Sequence, residues 1–206
     1  MNIPTPVIRS LARPRIPLAV KIAHSAYTAV LVPVYWRHYG PGNFLWFSDL
    51  ALIGMVPALW GERRRLTSMI ALSILLPEAP WNIGYFFRLF TGRELFGLSF
   101  YMFDRRKPWW LRALSLFHVW LPGLAVWSVR RLGYDTRAFR AQLIAGEAVL
   151  LASHALTRPE ENVNWVYGPG SKPQKKLSRG LYLCTVMVLF PLCLWWPAHR
   201  ILKRFI

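Results

Sequence analysis

Apolar positions along this chain come in long blocks rather than alternating with polar ones. Blocks fall at 16–36, 43–60, 66–90, 108–131, 136–156 and 181–196. Strict alternation would predict strands, whereas continuous apolar runs near twenty residues predict helices long enough to cross a bilayer. The pattern therefore predicts an all-α, polytopic membrane protein, a six-transmembrane-helix bundle whose third helix is broken by Pro77 and Pro80. Residues 1–15 read as a basic, proline-containing arm, 16–198 as the helical domain, and 199–206 as a basic tail. The apolar piece at 95–103 is too short to span and reads as interfacial or re-entrant.

The block at 108–131 organises the rest. Trp109 and Trp110 open it, Trp127 lies near its end, and Arg130 and Arg131 close it. Aromatic residues at both ends with cations outside them anchor a helix between two membrane interfaces. Near its middle stands His118, the one side chain in the block's interior that can take or give a proton. An ionisable group at that depth is costly in hydrocarbon, so it should face the bundle interior or a wet cavity.

Composition strengthens the membrane reading. Hydrophobic residues make up 54% of 206, with 11 tryptophans, more apolar surface than so small a soluble domain can bury. The net charge of +17 does not point to nucleic acid, because Lys and Arg sit between the apolar blocks and form no basic stripe. They read as contacts to membrane lipids, anionic phospholipids among them, and as topology signals. The arginines of the connections 61–65 and 129–137 place both termini on the cytoplasmic side of a cell (inner) membrane. Cys184 and Cys193, nine residues apart on one helix, would be separated by about 13 Å, too far for a disulfide.

Polar groups inside the blocks are His24, Asp49, Glu78, His118, Glu147 and His154, with Ser48 beside Asp49. Each taken singly is explained by a helix–helix hydrogen bond; the set together points to a functional interior. Three uses compete. A hydroxyl (Ser48), a base (His118) and an acid (Asp49 or Glu78) are the parts of a nucleophilic site. His and carboxylate are also metal ligands, but no H-x-x-x-H or H-E-x-x-H spacing occurs, and neither a metal nor another cofactor is expected. Acids and histidines at depth also serve proton or small-molecule pathways, and a non-catalytic scaffold would use the same buried groups. Asn43 reads as the cap that starts the second helix. Lys21 reads as a side chain that snorkels to the interface.

The segments NFLWFSDLA (43–51), FHVWLP (117–122) and NVNWVYGP (162–169) resemble, in order and placement, motifs of a superfamily of six-helix membrane enzymes. It comprises the androgen-induced fatty-acid-ester hydrolases and the related transmembrane acyltransferases. The resemblance implies a lipid-active hydrolase or acyltransferase, with a nucleophile near the start of the second helix and a histidine in the fourth. His118, followed by Leu121 and Pro122, matches that histidine. The hydrolases' nucleophilic threonine falls at Trp46, which cannot attack, whereas the acyltransferases' cysteine falls at Ser48. Gly168 interrupts the hydrolases' Trp-Val-Tyr-Pro element after Trp165, Val166 and Tyr167.

Ser48 is thus the expected nucleophile and His118 the base. Adjacent helical residues point about 100° apart, so Ser48 and Asp49 do not both aim easily at one imidazole, and Glu78 is the better orienting acid. Asn43, Trp46, Asn162, Asn164 and Trp165 are candidates for substrate contact. The two loop asparagines read either as oxyanion donors or as turn residues, with Trp165 an interface anchor.

Overall fold

The computed structural model describes residues 15–170 and 172–206, and among these every regular element is helical. The arm expected at 1–15 lies outside the described residues apart from Arg15. Helix α1 (Leu18–Tyr39) leads through a 3₁₀ turn (Pro41–Leu45) into α2 (Phe47–Trp60). The third block forms two helices, α3 (Arg64–Ile74) and α4 (Glu78–Thr91). The short apolar piece ends in a 3₁₀ turn, Phe100–Phe103. The fourth block is also divided, into α5 (Trp109–Leu114) and α6 (Phe117–Leu132). Helix α7 (Ala138–Leu156) precedes the 157–178 loop. The chain closes with α8 (Arg179–Leu189), a π-helical turn (Phe190–Trp195) and α9 (Trp196–Phe205).

The all-helical expectation therefore holds; the third block is broken as expected, and the fourth is divided as well. Among the described residues two helices, Leu18–Tyr39 and the run Arg179–Phe205, are long and apolar enough to cross a membrane. Pro77 accounts for the break in the third block. A proline is tolerated in a helix's first turn, where its missing N–H would have no partner, and Pro80 sits in the first turn of α4. The break between α5 and α6 falls at Ser115 and Leu116, where the helix tightens into 3₁₀-type turns.

Helix α1 shows how these elements pack. Its buried stripe is Lys21, His24, Thr28, Leu31 and Tyr35, which repeats at helical spacing and is mostly polar. Its outward residues include Leu18, Ile22, Val30 and Trp36. The usual amphipathic arrangement is inverted. Helix α3 is central: its residues 70–74 are all buried, and it packs on α2, α6 and α7. The main core joins Leu52, Met55 and Leu59 of α2 to Leu72 and Ile74 of α3 and Phe117, Leu121 and Val129 of α6. A second core gathers Phe47, Leu150, Val166, Tyr167, Phe190 and Trp195. Cys184 and Cys193 are free and exposed.

Lys21 does not snorkel. It is buried, and its Nζ donates to Glu62 Oε1 at 2.9 Å. Glu62 also accepts the backbone N–H groups of Arg15 (3.0 Å) and Ile16 (3.1 Å), so the α2–α3 turn clasps the start of α1. Burial alone would push the Glu62 carboxyl up; the Lys21 hydrogen bond and the two backbone donors outweigh it and hold it below the usual range. A depressed carboxyl contributes stability above its unfolded pKa of about 4.3, lost as pH falls through the folded value. Glu62→Ala should accordingly lower the thermal midpoint in detergent at pH 7. The gap to wild type should close as the measurement is repeated toward pH 3; a gap unchanged at pH 3 would assign the effect to packing instead.

Candidate functional site

The polar residues that matter stand in the first turns of three helices. Ser48 and Asp49 are the second and third residues of α2, Glu78 opens α4, and His118 is the second residue of α6. Ser48 and Asp49 are thus closer to their helix start than a span beginning at Asn43 implies. Each position exists because a break precedes it: the 3₁₀ turn before α2, Pro77 before α4, and the Ser115–Leu116 turn before α6. All four side chains line one cavity of about 410 Å³.

His118 and Glu78 are partners. Nδ1 of the imidazole lies 2.8 Å from Glu78 Oε2. The ring stacks on Trp81 at 4.6 Å between centroids and on Phe117 at 4.2 Å, which fixes its plane. Asn82 locks the helices carrying them together: its Nδ2 donates to the Glu78 carbonyl (3.0 Å) and to the His118 carbonyl (2.8 Å). The other ring nitrogen, Nε2, makes no hydrogen bond with the described residues and is not sealed from the cavity. The imidazole is held at one nitrogen and open at the other, which is the arrangement of an oriented base.

Asp49 makes no hydrogen bond to the ring among the described residues, and the Nδ1 partner is Glu78. Asp49 is 3% exposed and accepts a hydrogen bond from Asn43 Nδ2 at 3.2 Å. Asn43 is not the cap expected of it; it lies within the 3₁₀ turn, and Trp46 occupies the cap position of α2 without capping it. Ser48 is 5% exposed, and no hydrogen bond joins it to His118 among the described residues.

The cap of α2 comes from far along the chain. Asn164 Oδ1 accepts the Phe47 N–H at 3.0 Å, satisfying a free donor of the first turn. Its Nδ2 donates to the Leu45 carbonyl (2.7 Å) and to Ser153 Oγ (2.9 Å). Asn162 closes the same loop, donating to the carbonyls of Gly168 and Gly170 and accepting the Tyr167 N–H. Both asparagines have positive φ, a conformation Asn tolerates better than most residues. They and Trp165 line the cavity, but their amides are spent on the protein, which leaves the turn reading and not the oxyanion one. Gly168 belongs to this loop: a Cβ there would collide with the backbone of 172–174, so the interrupting glycine lets two chain segments touch.

Trp46 lines the cavity as expected. His24, Glu147 and His154 do not. His24 Nε2 lies 2.9 Å from the Leu52 carbonyl, and its ring packs edge-on to Trp120. His154 stacks on Tyr167, and the Glu147 carboxylate is enclosed without a partner among the described residues. No group of three or more His, Cys, Asp or Glu among the described residues stands close enough to hold a metal ion.

The cavity also contains residues that polarity in apolar blocks did not single out: Tyr35, Tyr101, Lys107, Ser115 and Phe190. Tyr35 OH and Ser115 Oγ lie 2.6 Å apart. Lys107 Nζ sits over the rings of Tyr39 (5.0 Å) and Tyr101 (5.6 Å). A tyrosine or serine in an apolar block is ordinary, so only their i, i+4 and i, i+3 spacings to Tyr39 and His118 could have drawn notice.

No family model matches the chain, and no curated protein or solved structure matches it either.

Proposed function

We propose that the protein is an integral membrane enzyme that cleaves or transfers acyl esters of lipids, with Ser48 as nucleophile, His118 as general base and Glu78 as the acid that orients it. The observation that carries this reading is the 2.8 Å His118–Glu78 pair whose second nitrogen opens into a cavity shared with a buried serine. In the resting base the ring is neutral and Glu78 accepts from Nδ1–H, which leaves Nε2 as the unprotonated nitrogen. In the reaction Ser48 Oγ attacks the ester carbonyl carbon while its proton passes to Nε2. Collapse of the tetrahedral adduct expels the alcohol, which takes that proton. Water or a second lipid hydroxyl then attacks the acyl-serine as His118 takes its proton, and collapse of that adduct expels Ser48 Oγ, which recovers the proton and releases the acid or the new ester. Catalytic contacts tighten when substrate binds, so the lack of a Ser48–His118 hydrogen bond does not count against the pair.

The membrane setting rests on the inverted packing of α1 and on the two long apolar helices. Exposed Ile144 (76%), Leu156 (75%) and Phe90 (79%) extend the outward apolar surface to α7 and α4. In the proposed six-segment bundle, the third and fourth segments cross as helix pairs broken at depth, where non-helical backbone lines a cavity. The resemblance of 43–51, 117–122 and 162–169 to the six-helix hydrolases and acyltransferases supports the same reading. A non-catalytic proton or small-molecule pathway draws little support, since His24, Glu147 and His154 stand apart from the cavity instead of continuing a relay.

The test is covalent labelling of the detergent-solubilised protein with an alkyl fluorophosphonate. Wild type should label at one site mapped to Ser48, and Ser48→Ala should not label while keeping its thermal midpoint. Labelling that persists in Ser48→Ala would exclude this serine as the nucleophile.

A further inference from the structure

The hydroxyls of Tyr35 and Ser115 present a hydrogen-bond count that does not close within the protein. Each group carries one O–H donor. They lie 2.6 Å apart, so one donates to the other. The acceptor's own hydrogen has no carbonyl, carboxylate or amide oxygen to receive it among the described residues; the oxygen near Ser115 is the Tyr101 hydroxyl, itself a donor, so the chain of three hydroxyls still holds one hydrogen more than it has contacts. Tyr35 is 3% exposed and Ser115 2%, so bulk water is not the general answer, and an unmatched donor at such depth is costly. Both residues line the cavity. The spare hydrogen is therefore directed at whatever occupies it.

Its position is specific. Ser115 ends α5, and its carbonyl accepts the His118 N–H at 3.3 Å, so the hydroxyl pair stands one turn from the imidazole. Tyr35 approaches from α1, with its ring edge-on to Tyr39 at 5.1 Å. Helix α1 is separate from the helices that bear Ser48, Glu78 and His118, which leaves the donor able to contact a ligand atom the other groups do not. The amides of Asn162 and Asn164 are already engaged.

We infer that the Tyr35–Ser115 pair is the subsite for the carbonyl oxygen of an acyl ester, donating one hydrogen bond that strengthens as that oxygen becomes negative. The inference rests on the acyl-ester reading of the cavity. When Ser48 Oγ forms its bond to the carbonyl carbon, the C=O π pair moves onto oxygen and the pair's free O–H faces the resulting oxyanion. No proton is transferred from the pair, and collapse of the adduct restores the carbonyl. A preorganised donor in a site closed to water is worth most at this point.

Two measurements test it. The first is the rate of fluorophosphonate labelling in Tyr35→Phe, Ser115→Ala and the double variant. Either single variant leaves one hydroxyl whose hydrogen is then free, so each should slow by less than roughly 10-fold, whereas the double variant should slow by roughly 100-fold, the loss expected for one oxyanion donor. A double variant that labels at the wild-type rate overturns the inference while leaving Ser48 as nucleophile. The second reads the hydrogen bond without any reaction: the infrared carbonyl band of ¹³C-carbonyl methyl dodecanoate bound to the detergent-solubilised protein. Wild type and Ser48→Ala should both show a component shifted to lower frequency that the double variant lacks. If wild type is not labelled but the shifted band is present, the enzyme reading fails and the carbonyl subsite stands. If no shifted band appears in wild type, the subsite is overturned whatever the labelling shows.

Discussion

His118→Ala should abolish fluorophosphonate labelling, and Glu78→Gln should slow it by roughly 10³-fold or more while the protein remains folded. The two losses have different causes. Alanine removes the proposed base. Glutamine keeps the shape of the partner but can turn its NH₂ toward the ring, and Nδ1 must then accept instead of donate. The hydrogen moves to Nε2, the nitrogen that has to be bare to take the serine proton. The 2.8 Å contact and the stacking of Trp81 and Phe117 hold the ring where it is, so the wrong tautomer cannot be relieved by a flip without breaking them. Glu78→Asp keeps an acceptor on a shorter arm and should fall between wild type and Glu78→Gln. Rates should be compared at matched thermal midpoints. If Glu78→Gln labels as fast as wild type, the pair is a structural bond and His118 is not the base.

Asn164→Ala should cost about 3–5 kcal/mol of stability, a large share of what a domain of this size has to lose. One side chain serves the Phe47 N–H, the Leu45 carbonyl and Ser153 Oγ. Alanine removes that partner from the Phe47 N–H and the Leu45 carbonyl in a place 3% exposed, leaves Ser153 Oγ only its bond to the Val149 carbonyl, and must also adopt the φ of +51° that asparagine tolerates. Asn164→Asp retains the acceptor for Phe47 but loses the donor, so it should cost less. Denaturant unfolding in a fixed detergent gives both values. Because Phe47 is the first residue of α2, the same variant should also slow labelling at Ser48, one position further on. A loss below 1 kcal/mol would show that the loop does not hold α2 in place.

What could be read along the chain, and what could not, follows from how far apart the interacting parts are. Ser48, Asp49, Glu78 and His118 were legible because polar groups inside apolar blocks carry a cost that packing alone does not explain. Pro80, read as a second breaker, sits within the first turn of α4, whereas the break at Pro77 was legible from covalent geometry. The break at Ser115 was not, because nothing in 113–117 forbids a helix; it depends on contacts such as Tyr27 OH to the Leu114 carbonyl, made by a helix 87 residues earlier. Asn164 was visible as an unusual residue, but its task lies 117 positions away, and a cap supplied from that distance leaves no local signature. Tyr35 and Ser115 are 80 positions apart and individually ordinary. Lys21 read as a side chain seeking solvent because its partner, Glu62, sits in a charged turn that looks complete by itself.

The starts of α2, α4 and α6 around one cavity have a further consequence. The backbone N–H groups of a helix's first turn carry a partial positive charge that fades within about one turn. Three such ends meet around the cavity that Asp49 and Glu78 line and add positive character that comes from the backbone. Nothing in that arrangement is a side chain, so substitutions at the polar groups of the site would pass over it. Pro77→Ala, a change that deletes no polar group, would let α3 run on into α4 and turn Glu78 from a helix start into a mid-helix residue. The site would then lose part of its electrostatic support while every named side chain remained present.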